Sequence, residues 1–281
     1  MAVTDRVLAV LGTGLVDAGR PIVRADDLGL LRGDGIFETL LVRQGAAWLL
    51  DEHLERLAGS AVRMDLAVPA PAEWRALVAT ALGAWPADAE GVLRLVCTRG
   101  PEDGGDPTVY AAIAGVPAET RRQRAAGIRV ITRSLGLSAD FRTTAPWLLG
   151  GVKTTSYAVA MAVLRDARRR GVDDVIWLAQ DGAVLEGPTA TVVWAVGDTL
   201  HTIPADTGIL EGTTVARLMA EAPGHGFATG IRRGTVDDLY AADGVWLLSS
   251  VRGAAAVREI DGRECADAGL TGRVRGALGL T

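Results

Sequence analysis

The chain has 281 residues, of which 49% are hydrophobic and 22% charged, with a net charge of −5. Such a chain folds as one large globular domain or two modest ones, and its acidic balance argues against a nucleic-acid-binding surface. Two cysteines, Cys97 and Cys265, are too few for a disulfide framework or a zinc site.

Residues 7–16 are apolar but broken by Gly12 and Gly14. They are too short to cross a bilayer and read as an N-terminal strand, so the default expectation is a cytoplasmic protein with no membrane partner. Residues 36–42 and 46–50 are apolar runs joined at Gln44-Gly45, which predicts a hairpin. Asp51 is expected to cap a helix with Leu54, Leu57, Ala58, Ala61 and Met64 at helical spacing. A second helix over 72–84 precedes strands over 92–98 and 108–114. The polar, basic stretch 117–126 then reads as a linker, which divides the chain into a small domain over 1–116 and a larger one over 127–281.

Beyond the linker, a strand over 128–132 leads through an irregular stretch to Lys153. A helix over 155–170 follows, with Tyr157, Met161 and Leu164 on one stripe, and its closing run Arg168-Arg169-Arg170 suits the helix dipole. Strands are expected over 174–178, near 184–185, and over 191–196, 200–203, 227–232, 245–249 and 255–260. A helix starting at Thr213 and a short terminal helix complete a mixed α/β (α+β) fold.

Lys153 is the sole lysine among 29 basic residues. A guanidinium stays protonated in proteins, whereas a desolvated ammonium can lose its proton and act as a nucleophile or base. Lys153 is therefore either the candidate for amine chemistry with a carbonyl group or one solvated surface lysine left by a lysine-poor composition. Gly150, Gly151 and Val152 ahead of it allow close backbone approach, and Thr154, Thr155 and Ser156 behind it are good helix caps. Glu186 stands at the end of an apolar strand, where a carboxylate could face a pyridinium nitrogen or simply sit in a solvated turn. Thr213 and Thr214 follow Gly212 at a helix start, which is either a phosphate site or a plain cap. Arg56 would add a bidentate phosphate contact or equally be a surface residue.

An amine, a carboxylate for a ring nitrogen and an anion site are the parts of a pyridoxal phosphate pocket. In order along the chain stand Arg32-Gly33-Asp34-Gly35-Ile36-Phe37-Glu38-Thr39, His53-Leu54-Glu55-Arg56-Leu57, Thr98-Arg99-Gly100, Lys153, Leu185-Glu186-Gly187 and Gly208-Ile209-Leu210-Glu211-Gly212-Thr213-Thr214. This set resembles the fold-type IV pyridoxal-phosphate enzymes, which include branched-chain and D-amino-acid aminotransferases and aminodeoxychorismate lyases. The resemblance covers nearly the whole chain. It implies a two-domain fold with a β-barrel-like sheet in the larger domain, a homodimer, and pyridoxal 5'-phosphate as cofactor with no metal. The substrate implied is a small molecule with amine and carboxylate groups.

Carried over residue by residue, the resemblance gives Lys153 the covalent link to the cofactor aldehyde and the proton shuttle. It gives Arg56, Thr213 and Thr214 the phosphate, and Glu186 the pyridine nitrogen. Ser249 and Ser250 match a polar pair near the phosphate, and Tyr157 is either on the cofactor face or a core aromatic. Arg99 matches a carboxylate-binding arginine, with Arg32, Arg252 and Phe37 as further substrate-side candidates. Thr39 matches the threonine that lyases carry where aminotransferases have glycine or valine. The resemblance therefore favours a lyase that releases pyruvate and 4-aminobenzoate from 4-amino-4-deoxychorismate, with a class IV aminotransferase as the alternative. One departure stands out: Thr191 takes a position where relatives usually carry asparagine.

Overall fold

A computed structural model describes residues 5–140 and 144–280; part of the irregular stretch expected ahead of Lys153, at 141–143, lies outside them. The chain divides into two compact units. One holds residues up to Pro117 together with Val152–Tyr157, and the other holds Ala118–Gly151 and everything from Ala158 onward.

The first unit is built on an antiparallel six-stranded sheet. Its strands are β1 (Arg6–Val10), β2 (Gly14–Val16), β3 (Gly35–Arg43), β4 (Ala46–Ala47), β5 (Gly91–Thr98) and β6 (Val109–Gly115), in the order β2-β1-β6-β5-β3-β4. Side chains alternate between faces along each strand. Ile36, Leu40, Leu93, Leu95, Ala111 and Ile113 therefore share one face, fully buried with Leu57, Trp74, Leu77 and Val78 of helices α2 (Leu50–Arg63) and α3 (Pro71–Gly83). The opposite face carries Phe37 and Thr39 of β3, paired in register with Val96 and Arg94 of β5.

The single N-terminal strand expected over 7–16 is instead the hairpin β1–β2, because Gly12 and Gly14 both adopt left-handed backbone (φ 75° and 86°). The expected hairpin at Gln44-Gly45 is present, with φ of 51° and 72°, the geometry of a type I′ turn. A side chain at the second position would strain that turn. Gly45→Ala is expected to cost about 1 kcal/mol and to lower the melting temperature by about 2 °C without changing activity. Asp51 does not cap α2. The cap position is Leu49 at φ 57°, and Asp51 lies in the first turn, where it suits the dipole and accepts from Arg75.

A short helix, α1 (Leu28–Arg32), escaped the sequence pattern. Its N-cap Asp27 is fully buried. One carboxylate oxygen accepts from the hydroxyls of Thr98 (2.8 Å) and Thr108 (2.6 Å), and the other accepts from the Gly29 N–H (2.7 Å).

In the second unit, the segment expected to be a linker is helix α4 (Ala118–Ala126). Its alanines, arginines, glutamate and glutamine are good helix formers, and Gly127 at φ 75° ends it. Strands β7 (Ile128–Ser134), β8 (Asp174–Leu178), β9 (Thr191–Val196), β10 (Thr199–Thr202), β11 (Ala228–Ile231), β12 (Gly244–Ser249) and β13 (Gly253–Ile260) form a second sheet. Their order is β11-β10-β9-β12-β13-β7-β8, with β14 (Arg263–Glu264) paired to β13. The strand expected near 184–185 reduces to isolated bridges, including Val184 to Leu178.

Among its described residues the unit also holds helices α5 (Ala158–Arg169), α6 (Thr213–Glu221), α7 (Val236–Tyr240) and α8 (Thr271–Ala277). The helix after Lys153 starts at Ala158 rather than residue 155, because 152–157 pair with the first unit. Only Ala167 is fully buried in it, and Met161 of the expected apolar stripe is exposed. Among the described residues, no helix is long and apolar enough to cross a membrane.

Candidate active site

Lys153 is carried on a short extended segment laid beside the start of β3. The Phe37 N–H donates to the Lys153 carbonyl (3.1 Å) and the Thr155 N–H to the Gly35 carbonyl (2.8 Å), with a β-bridge between Ile36 and Thr154. From α2, Ser60 Oγ accepts the Lys153 N–H at 3.3 Å. The half-buried side chain brings Nζ to 4.5 Å from the centre of the Phe37 ring and 3.5 Å from Tyr157 Oη, the outer edge of hydrogen-bond reach. Phe37 and Tyr157 meet edge to face, with ring centres 5.0 Å apart. The structure thus brings Lys153, Phe37 and Tyr157 together, and Tyr157 is not a core aromatic.

On the core face of β3, Glu38 is fully buried and gripped from α2. Arg56 donates from Nε (2.8 Å) and Nη2 (2.7 Å) to its two oxygens, and His53 Nδ1 lies 2.7 Å from Oε2. Burial alone would raise the Glu38 pKa, but the hydrogen bonds from Arg56 and His53 outweigh it and bring it down to about 2. Burial pushes the His53 pKa down against the pull of Glu38. His53 is therefore neutral, and the contact is a hydrogen bond rather than an ion pair. The carboxylate only accepts, so Nδ1 carries the proton and the longer approach of Arg56 Nη2 to it (3.4 Å) is not a bond. This arrangement fixes the plane of the guanidinium proposed to meet a phosphate. The sequence reading left Glu38 without a role, although Ile36-Phe37-Glu38-Thr39-Leu40 alternation already places it on the core face.

Thr39 is half-buried on the opposite face, directly across from Arg94 in the β3–β5 register. Directly opposed side chains in an antiparallel pair stand about 5 Å apart at Cβ. Arg94, the one charged residue of β5, is exposed on the face that bears Phe37. Sequence reasoning missed it, though a lone charge inside an apolar strand was a usable signal.

Arg99, by contrast, is not free to clamp a substrate carboxylate from this position. Nε and Nη2 donate to Asp34 (2.7 and 3.1 Å), Nη2 also to the Met64 carbonyl (2.8 Å), and Nη1 to the Asp65 carbonyl (2.9 Å). Four of the five guanidinium N–H groups are engaged. Arg32 is exposed in the last turn of α1.

In the second unit, Glu186 lies in the loop between β8 and β9, half-buried, and its Oε2 accepts from the Leu210 N–H at 3.0 Å. That bond ties it to the loop that ends at α6. Thr213 and Thr214 are buried at the start of this nine-residue helix, after the N-cap Gly212. First-turn N–H groups have no acceptor inside the helix, so the helix start suits an anion. Thr191, at the position of the family asparagine, lies against this helix start, since a Cβ on Gly212 would come within 2.5 Å of Thr191 Oγ1.

Ser249 ends β12 and Ser250 is buried in the turn after it. That turn is anchored by Arg124 Nε, which donates to the Val251 carbonyl (2.9 Å), and by Arg252. Arg252, expected on the substrate side, is instead nearly fully buried, with Nη1 2.7 Å from Asp174 Oδ2 and 3.3 Å from Gln123 Oε1, while Nε and Nη2 meet no acceptor among the described residues. A guanidinium in this setting holds the turn to the start of β8.

The chain is 45% identical over 266 residues to the bifunctional aminodeoxychorismate lyase / D-amino acid transaminase of Mycobacterium tuberculosis, with 92% of each chain covered. Its fold is similar to the pyridoxal-phosphate-bound form of a hypothetical aminotransferase from the same organism, with a TM-score of 0.94 at 42% identity over 98% of this chain and 97% of that one. A fold IV transaminase from Curtobacterium pusillum superposes with a TM-score of 0.91 at 38% identity, with 98% and 97% covered. The pattern of the class IV amino-transferases matches residues 35–260, and with that extent of agreement the chain belongs to the class IV amino-transferase family.

Proposed function

We propose that this pyridoxal-phosphate-dependent enzyme is a 4-amino-4-deoxychorismate lyase, which eliminates pyruvate to leave 4-aminobenzoate. The observation that carries the lyase reading is the Thr39 hydroxyl, on the same face of β3 as the Phe37 ring over which the Lys153 amine stands. A relative with 45% identity bears both activity names, which keeps an aminotransferase acting on D-amino acids as the second reading.

The side chains present fit the cofactor. Lys153 offers the single primary amine of any side chain, half-buried beside two aromatic rings. Arg56 and the buried hydroxyls of Thr213 and Thr214 offer donors for a phosphate, with Ser249 and Ser250 as a further polar pair, and Glu186 offers a carboxylate for a ring nitrogen. When bound, pyridoxal phosphate supplies an electron sink that acidifies the hydrogen on the amine-bearing substrate carbon.

The protein's own groups do the rest. Lys153 Nζ removes that hydrogen as a proton, and Tyr157 Oη holds the amine in line. Glu186 would keep a proton on the ring nitrogen. Arg94, exposed on the sheet face that bears Phe37, holds a substrate carboxylate. The bond between the ring carbon and the enolpyruvyl oxygen breaks, Thr39 donates a proton to that oxygen, and the enol departs as the ring becomes aromatic, tautomerising to pyruvate. For transamination, Lys153 would instead return the proton to the cofactor side, and Thr39 would have no part.

Purified protein incubated with 4-amino-4-deoxychorismate is expected to release 4-aminobenzoate and pyruvate in equal amounts. No product there, with turnover of D-alanine and 2-oxoglutarate, would establish the second reading instead. Arg94→Ala removes a charge-assisted contact worth about 2 kcal/mol, so kcat/KM is expected to fall about 30-fold, mostly through KM. Unchanged steady-state kinetics would remove Arg94 from the site.

A further inference from the structure

Between Gly151 and Ala158 the backbone leaves the second unit, spends six residues in the first, and returns. Lys153 rides on this excursion, and two hydroxyls lock it in place. Thr155 Oγ1 donates to the Gly33 carbonyl at 2.8 Å, with the Gly35 carbonyl farther off at 3.3 Å. Ser156 Oγ donates to the same Gly33 carbonyl at 3.0 Å. The same carbonyl also accepts from the Gly35 N–H at 3.1 Å, so two of its three donors come from the residues just past the lysine.

Gly33 can receive them because it is the left-handed C-cap of α1, at φ 69°, and because it has no side chain. A Cβ there would stand 2.4 Å from Ser156 Oγ and 3.0 Å from Ser156 Cα. The carbonyl is itself held, since α1 begins at the fully buried Asp27, which Thr98 and Thr108 fix to β5 and to the residue ahead of β6. A chain of contacts therefore runs from the sheet through Asp27, α1 and Gly33 to the segment that presents Nζ.

We infer that Thr155 and Ser156 are positioning residues for Lys153, acting through the Gly33 carbonyl, with α1 as the anchor. The inference rests on the reading of Lys153 as the reactive amine. The two backbone bonds to β3 set the register of the segment, but they leave its far end free to peel away after residue 155. The two hydroxyl bonds close that end. Without them the amine drifts from its place over Phe37, and a displacement of about 1 Å at a reacting group costs on the order of 10²-fold in rate.

The test uses the full-length protein freed of cofactor. Uptake of pyridoxal phosphate is followed as growth of the visible absorbance band, together with the pH midpoint of that band and the melting temperature before loading. Thr155→Val combined with Ser156→Ala is expected to slow uptake 10- to 100-fold and to move the midpoint, while Thr155→Ser, which keeps the hydroxyl, stays within twofold of the parent. A change confined to the melting temperature, with uptake and midpoint unaltered, would overturn the inference and leave the hydroxyls structural. Should the double variant not fold, Thr155→Val alone is read. An intermediate loss of uptake rate supports the inference, and a parental rate overturns it. Lys153→Ala in parallel separates the two levels: a visible band that survives in it refutes the amine assignment itself, not the role of the hydroxyls alone.

Discussion

Replacing Lys153 by alanine is expected to abolish the visible absorbance of the loaded protein and to lower turnover by on the order of 10⁴-fold. The effect is large because nothing nearby can substitute. No other side chain in the chain carries a primary amine, and the 28 remaining basic residues are guanidinium groups that do not release a proton in this range. Lys153→Arg should be as inactive as the alanine variant, even though it keeps the charge over Phe37. The two variants together separate charge from nucleophilicity. Activity retained by the arginine form, measured as 4-aminobenzoate release, would show that the amine forms no bond. The fold should tolerate either change, since the Lys153 backbone contacts to Phe37 and Ser60 do not involve the side chain.

Glu38→Gln should produce the second large effect, chiefly on stability. The Glu38 carboxyl is fully buried and held at a pKa of about 2, below an ordinary value of 4.5. A depressed carboxyl stabilises the fold above its unfolded pKa, and that stabilisation is lost as pH falls from about 4.5 toward 2. The difference corresponds to about 3 kcal/mol at neutral pH. His53 adds to acid sensitivity in an earlier window. Its folded pKa lies below the ordinary 6.5, so the unfolded chain takes up the proton first and stability declines as pH drops through that value.

In Glu38→Gln the amide cannot accept from Arg56 at both positions. Denaturant titration at pH 7 should show a loss of about 3 kcal/mol, and the pH dependence between 4.5 and 2 should flatten while the His53 slope persists. A variant as stable as the parent at pH 7 would mean that the carboxylate contributes nothing net. Because Arg56 is aimed by Glu38, the same change is expected to weaken cofactor retention.

How much of this could be read in the sequence differs from residue to residue. Lys153 was visible because its residue type is otherwise absent, and the Gln44-Gly45 turn because few pairs accept two left-handed residues. Strands β8 and β9 match their expected bounds, since apolar runs bounded by turn residues leave little freedom. Helix α4 was hidden by its own polarity. It presents little apolar periodicity and buries only Gln123, so composition suggested a linker where helix propensity prevailed.

Pairings across long sequence distances were hidden in another way. Arg99 and Arg252 are arginines at suggestive positions, and only the fold shows that Asp34 and Asp174 already hold them. Glu38 was obscured by its neighbours in a recognisable string. Its significance comes from a strand face shared with the core, and becomes evident only once His53 and Arg56 of α2 are seen to close over it.

The visit of residues 152–157 to the first unit bears on how such a protein can be divided. A fragment ending at Pro117 would be missing the edge segment that lies along its own third strand. The complementary fragment would carry Lys153 with nothing to lie against. Divided at residue 117, neither piece keeps both Lys153 and the Phe37 and Ser60 contacts that hold its backbone.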